Sequence, residues 1–276
     1  GIDILEYYKK WHIKLGETSP IFEQLGEGKA GVKQNIKSCK LDECIDLGAE
    51  AIGWFDKRDK KLGNGKNKIR GVGSAIAMQG SGIPLVDMGS ASMKMNEDGS
   101  FNLFVGATDL GTGSDTVLAQ IAAEVLQVPV EKILVLSSDT DLTPFDVGAY
   151  ASSTTYVSGK AVEKCAIDIL HQIKRVAVDI LQSGESDLIC EKENIVDPNT
   201  NKSVSFSDIC QHSMYTANQN QIQAFASNVP VESPPPFIAQ FAEVEVDIAT
   251  GCVKVLQFVS AVDCGQAIHP RLAEGQ

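Results

Sequence analysis

The sequence predicts a fold that mixes strands and helices. Three observations carry that expectation. Phe101, Leu103 and Val105 alternate as in a strand and lead into a loop holding Gly106, Gly111 and Gly113, which a helical repeat follows. A second and longer helical repeat runs from Val162 to Leu181. Alternating stretches bounded by turn residues occupy 90–105 and 241–262.

The elements follow in order. Residues 1–37 mix apolar and polar residues with many glycines, which reads as irregular chain with one short helix near Ile2 to His12. Leu41 to Phe55 repeats apolar residues at helical spacing. Asp56 to Lys68 is rich in Lys and Arg around Gly63 and Gly65, the pattern of a solvated connector. Ile69 to Leu85 combines strand residues with many glycines and alanines, so a backbone or a ligand comes close there. Ser90 to Met95 and Phe101 to Val105 flank Asn96-Glu97-Asp98-Gly99-Ser100, a hairpin signature.

In the helix after the glycine loop, Val117, Leu118, Ile121, Ala122, Val125 and Leu126 form one buried face, and Ser114, Asp115 or Thr116 can cap it. A strand, a glycine loop and a helix N-terminus together present N–H groups to an anion such as a phosphate, or form a plain tight turn. Ile133 to Leu136 is a short strand after Pro129. Asp146 to Gly159 is dense in hydroxyls and small side chains ahead of the long helix. Those hydroxyls either fill turns and caps or line a second polar site.

Residues 183–235 read as polar and irregular, with a short helix around Phe206 to Met214. Ser233-Pro234-Pro235-Pro236 is a stiff lead-in to a strand from Phe241 to Ile248, which turns at Ala249-Thr250-Gly251 into another from Cys252 to Val262. Glu243, Glu245 and Asp247 alternate along the first of these strands. That spacing sets all three on one solvent face, a structural arrangement rather than a pair of catalytic acids.

Composition bounds the function. The 276 residues suffice for one large domain or two modest ones, and 43% hydrophobic with 22% charged residues is globular, not disordered. A formal net charge of -12 excludes the basic footprint of a nucleic-acid or anionic-membrane binder. No apolar run approaches a membrane span, and the N-terminus lacks the apolar region of a secretory signal. Seven scattered cysteines fit the reduced thiols of a cytoplasmic protein, and without a C-x-x-C pair no iron–sulfur cluster or zinc site is expected in this chain. His12, His171, His212 and His269 lie far apart and read as surface or core histidines, so no protein-held metal is expected. A start at Gly1 and an end at Ala273-Glu274-Gly275-Gln276 suggest a piece of a longer polypeptide.

Four stretches, taken in order, resemble one family. They are Gly106-Ala-Thr-Asp-Leu-Gly-Thr-Gly-Ser-Asp-Thr116, Ala151-Ser-Ser-Thr-Thr-Tyr-Val-Ser-Gly-Lys-Ala161, Phe241-Ala-Glu-Val-Glu-Val-Asp247, and Val262-Asp-Cys-Gly-Gln-Ala-Ile-His-Pro270 with its continuation to Gly275-Gln276. Together they are similar to the molybdopterin-binding subunit of the molybdenum hydroxylases, the family of xanthine dehydrogenase. The resemblance covers the chain from about residue 41.

The resemblance implies a mixed α+β arrangement whose molybdenum–pterin cofactor is held by several loops. On this reading residues 1–66 are the tail of a first molybdopterin-binding domain plus a connector, and 67–276 the N-terminal part of a second. Leu110, Gly111, Thr112 and Gly113 match the glycine loop that touches the pterin and its phosphate; many family members carry Gln where this chain has Thr112. Ala151, Ser152, Ser153 and Thr154 match a second cofactor loop, and Gln276 the glutamine that reads the pterin edge. Gly80 to Leu85 aligns with the part of the pocket that holds an aromatic ring above the substrate, and here offers Leu85.

The implied reaction is oxidative hydroxylation of a purine or related N-heterocycle with oxygen from water. Aldehyde- and nicotinate-type hydroxylases use the same scaffold, and a scaffold subunit without catalysis would keep the fold. The general-base glutamate of the family falls beyond residue 276, so the chain alone is expected to be inactive. The cofactor is a molybdopterin, plain or as the cytosine dinucleotide, and relatives pass electrons to [2Fe–2S] clusters and FAD on partner subunits or domains. A nucleotide-binding reading of the 106–116 loop lacks the Lys of a Walker sequence and a G-x-G-x-x-G opening.

Overall fold

The computed structural model describes residues 2–60, 67–216 and 219–276. The middle of the basic connector, residues 61–66, and the domain boundary read there lie outside the described residues.

In chain order the first elements are helices α1 (Ile4–Trp11), α2 (Leu41–Ile52) and α3 (Trp54–Lys57), then strands β1 (Lys68–Met78), β2 (Gly89–Met95) and β3 (Phe101–Val105). Helix α4 (Ser114–Leu126), strand β4 (Ile133–Ser137) and helix α5 (Thr154–Leu181) follow. The short strands β5 (Ile189–Glu191), β6 (Asn194–Asp197) and β7 (Lys202–Ser205) lead to helix α6 (Phe206–Tyr215). Strands β8 (Gln223–Asn228), β9 (Phe237–Asp247) and β10 (Val253–Asp263) and helix α7 (Pro270–Gly275) complete the chain. They form two compact units, one of Gly1–Ser81 with Glu232–Gln266, the other of Gly82–Val231 with Ala267–Gln276.

In the first unit β9 lies between β1 and β10, antiparallel to both. The sheet packs on α2 around Phe237, Ala239 and Phe241, with Ile45, Ile52 and Trp54. Gly48 lets the helix approach closely, because a Cβ there would lie 2.2 Å from the Phe241 ring. Trp54 meets that ring edge-on, with centroids 5.9 Å apart. The helix expected over 41–55 is broken at Gly53, whose φ of 71° ends α2 in a left-handed cap.

The row Glu243, Glu245 and Asp247 shares one face, as the alternation requires, but not a solvent face. Phe237 and Phe241 stand on the same side, under the helices, so Glu243 is only 7% exposed. Lys57 Nζ reaches it at 2.7 Å, while Lys68 and Arg70 bind Glu245 at 2.9 and 3.0 Å. The bonds from Lys68 and Arg70 hold the Glu245 carboxyl below the usual carboxylate range. Glu243 and Glu245 are neutralised by cationic neighbours, and Asp247 closes its turn by accepting from Ala249 and Thr250 N–H at 2.9 and 3.2 Å; all three are structural.

The second unit has a sheet of order β4-β3-β2-β8, with β4 parallel to β3 and the other pairs antiparallel. The predicted hairpin is present, Ala91 opposite Val105 and Met95 opposite Phe101. β3, α4 and β4 form a parallel crossover, and α5 packs on the same core through Val162, Cys165, Ile169 and Ile173. Gly159 of α5 is pressed against α4, since a Cβ there would be 2.8 Å from Ile121 Cδ1. Residues 183–235 are not irregular throughout: they hold the β5-β6-β7 meander, α6 and β8. Strands of three and four residues carry too little alternation to register in sequence.

All seven cysteines are free thiols. Among the described residues no helix is long and apolar enough to cross a membrane.

Candidate functional site

Strand β3 hands the chain to α4 through residues 106–113. Gly106 is obligatory in that path, because a Cβ would lie 2.3 Å from the Pro144 carbonyl oxygen. The residue preceding α4 is Gly113, at φ 76°, which has no side chain to cap the helix. Ser114, Asp115 and Thr116, expected as caps, sit inside the first turn instead. The acceptor comes from further back. Asp109 Oδ1 accepts from the N–H groups of Gly111 at 2.8 Å and Gly113 at 3.1 Å, and Oδ2 from that of Asp115 at 3.4 Å. Burial pushes the Asp109 carboxyl up, but N–H bonds from Gly111, Gly113, Asp115 and Thr112 outweigh it and hold the group below its usual range.

The backbone N–H groups that the sequence offered to an external anion therefore bind the chain's own carboxylate. Beside them, Ser114 Oγ and Asp115 Oδ1 are buried without a hydrogen-bond partner, while the other Asp115 oxygen accepts from Ser137 Oγ at 2.9 Å. With Asp109 and Asp115 both beside it, this turn is lined by carboxylates and does not favour a phosphate. Leu110 and Gly111 are exposed on this loop, and Thr112 is half-buried.

The loop before α5 has the opposite character. Asp146 anchors its base, accepting from Gly148 N–H at 2.9 Å and from Ser158 Oγ–H at 2.5 Å. Residues 150–153 then form a turn in which Ala151 and Ser152 have φ of 50° and 54°, closed by Ser153 N–H to the Tyr150 carbonyl at 3.1 Å. No side chain caps α5, and its first turn has no acid. Ser153 is buried, with its hydroxyl toward the Gly148 carbonyl, whereas Ser152 is exposed and Thr154 half-buried. A helix N-terminus with no acid in its own first turn favours negative charge nearby.

All the predicted positions fall in this second unit. Asp146 joins the two loops, because it lies against Gly106 at the start of one and bonds Ser158 after the other. Gln276 follows α7, whose Leu272 packs on Gly113: a Cβ on that glycine would be 2.4 Å from Leu272 Cδ1. Leu85 stands apart, 61% exposed at φ 61°, with its N–H on the Pro230 carbonyl at 2.8 Å. Its segment meets the α5 loop through Gly82 N–H, 2.8 Å from the Ala151 carbonyl. Sequence reasoning missed Asp109, Asp146 and Asp87. All three stand two residues before a glycine, but only Asp109 and Asp146 close on that glycine's N–H, so the spacing alone was an ambiguous signal.

Fold and loops together define an α+β unit in which two polar loops, one closed by Asp109 and one rich in hydroxyls, lie side by side. Comparison with known proteins fits that class. Residues 47–276 match the family described as molybdopterin cofactor-binding domain. This chain belongs to that family, the cofactor-binding part of molybdenum hydroxylases related to xanthine dehydrogenase. Over its full length it is 35% identical to the probable hypoxanthine oxidase XdhD of Escherichia coli strain K12, covering 28% of that protein. It is 33% identical over 282 aligned residues to the putative xanthine dehydrogenase molybdenum-binding subunit XdhA of the same strain, covering 36% of it.

The fold is shared with quinoline 2-oxidoreductase from Pseudomonas putida 86, at a TM-score of 0.83 and 21% identity over 98% of this chain and 36% of that one. Reconstituted CO dehydrogenase from Oligotropha carboxidovorans gives 0.81 and 22%, over 99% and 36%. The α+β expectation and the molybdenum hydroxylase resemblance both hold.

Proposed function

We propose that this chain is part of a molybdenum hydroxylase catalytic subunit that hydroxylates a purine, xanthine- or hypoxanthine-like, or a related N-heterocycle, with water as the oxygen source. The observation that carries the heterocycle is the full-length match to proteins named hypoxanthine oxidase and xanthine dehydrogenase. When bound, the molybdenum–pterin cofactor supplies the two-electron oxidation. The residues of this chain bind and orient it.

On this reading Leu110, Gly111, Thr112 and Gly113 line the pterin, on the exposed side of the loop that Asp109 closes. The anionic end, a phosphate or its cytosine dinucleotide extension, lies at Ala151, Ser152, Ser153 and Thr154, where α5 has no carboxylate of its own. Gln276 reads the pterin edge beside Gly113. Residues 1–66 close one molybdopterin-binding domain and 67–276 open the next. The general-base glutamate lies beyond residue 276, and electrons leave to [2Fe–2S] and FAD partners. A second reading, an aldehyde- or nicotinate-type hydroxylase, is favoured by the exposed aliphatic Leu85 at the position aligned with an aromatic ring.

The test is metal and pterin analysis of the complete subunit, purified anaerobically with its partners from a host that makes the cofactor. Molybdenum near one per subunit with a fluorescent pterin oxidation product supports the proposal. A heterocycle and aldehyde panel with an artificial acceptor then separates the two readings. A folded subunit without molybdenum or pterin overturns both and leaves a scaffold.

A further inference from the structure

The turn Tyr150–Ser153 holds two consecutive non-glycine residues in left-handed backbone, Ala151 and Ser152. L-residues rarely adopt that conformation, and it persists only where the surroundings impose it. Here the surroundings are residues 82–87. Gly82 N–H binds the Ala151 carbonyl at 2.8 Å. Tyr150 Oη–H binds Asp87 Oδ1 at 2.6 Å, and Asp87 Oδ2 accepts from Ile83 N–H at 2.7 Å. Asp87 is 0% exposed. Gly82, at φ 82°, brings the segment close: a Cβ there would be 3.0 Å from Val157 Cγ2 in the first turn of α5 and 3.3 Å from Asp87 Oδ2.

A buried carboxylate with each oxygen on a separate donor, one on each loop, is a fixing device. We infer that Asp87 and Tyr150 are positioning residues, a clamp that holds the strained 150–153 turn in the shape that leads into α5 and sets its N-terminus toward an anion. What the turn is held for rests on the proposed function; that it is held does not.

Tyr150→Phe removes only the hydroxyl. In the complete chain, amide hydrogen exchange at residues 149–155 should rise about tenfold, the effect of losing one hydrogen bond to a buried carboxylate. Exchange in the core of α5, from Ala161 to Ala177, should stay unchanged. Asp87→Asn should raise exchange in both 82–87 and 149–155; where it fails to fold, Tyr150→Phe alone decides. Unchanged exchange in Tyr150→Phe overturns the clamp. In the complete subunit, pterin per folded polypeptide should fall severalfold in Tyr150→Phe; full pterin content despite faster exchange overturns the positioning role. Faster exchange in a subunit whose wild type binds no pterin supports the clamp and removes the cofactor reading instead.

Discussion

Replacing Asp109 by alanine strips three backbone N–H groups of their acceptor at the start of α4: Gly111 at 2.8 Å, Gly113 at 3.1 Å and Asp115 at 3.4 Å. Gly111 is exposed, so water replaces the carboxylate there; Gly113 is half-buried under Leu272, where replacement is poorer. Loss of a helix cap costs about 0.5–2 kcal/mol, and an ionised acceptor with a favourable helix dipole pushes toward the upper half. Asp109 is itself half-exposed, and screening pulls the figure back. The balance is about 1.5 kcal/mol, or a melting temperature lower by about 3–6 °C for a chain of this size.

Asp109→Asn keeps one oxygen for Gly111 and Gly113 but loses the charge, so it should cost about half as much. The pH dependence has a fixed sign. The folded carboxyl lies below its unfolded value, so its stabilisation is fully present above about pH 4 and is lost as pH falls through the folded value. The gap between wild type and Asp109→Asn should therefore close in acid. Thermal and urea unfolding followed by circular dichroism at neutral and acid pH gives all three numbers. Coincident midpoints for wild type and Asp109→Ala at pH 7 would refute the cap.

Gly48→Ala should destabilise by about 1–3 kcal/mol, because its Cβ would stand 2.2 Å from the Phe241 ring wedged against Trp54; a urea midpoint equal to wild type contradicts that packing. Native alkylation at pH 8 followed by peptide mass spectrometry should label the exposed Cys252 and Cys264. Cys190, half-buried with its thiol pushed up to about 11, should lag, and the buried Cys165, pushed up to about 12, should react only after unfolding; early labelling of Cys165 would show that the core around α5 opens.

The sequence alone determined the elements whose patterns are local and long. The β2–β3 hairpin, α4 and the Val162–Leu181 part of α5 carry several repeats of their period, and the turn at Asn96 to Ser100 is written in adjacent residues, whereas the start of α5 from Thr154 fell in a stretch that read as loop. The ordered set of loop motifs likewise identified the family, because motif order survives without knowledge of contacts. Tertiary structure decided the rest, wherever the partner is distant in sequence. Glu243 lies on a buried face only because helices cover that side of β9, and Lys57, 186 residues away, neutralises it. Alternation fixes which residues share a face, not which face meets water. The glycine loop, which in sequence could be an anion seat or a plain turn, is closed by Asp109, an acceptor from outside the usual cap position. Asp87 and Tyr150 are 63 residues apart, and no local pattern couples them. A hydrogen bond across that distance exists only once the core has set the two loops side by side.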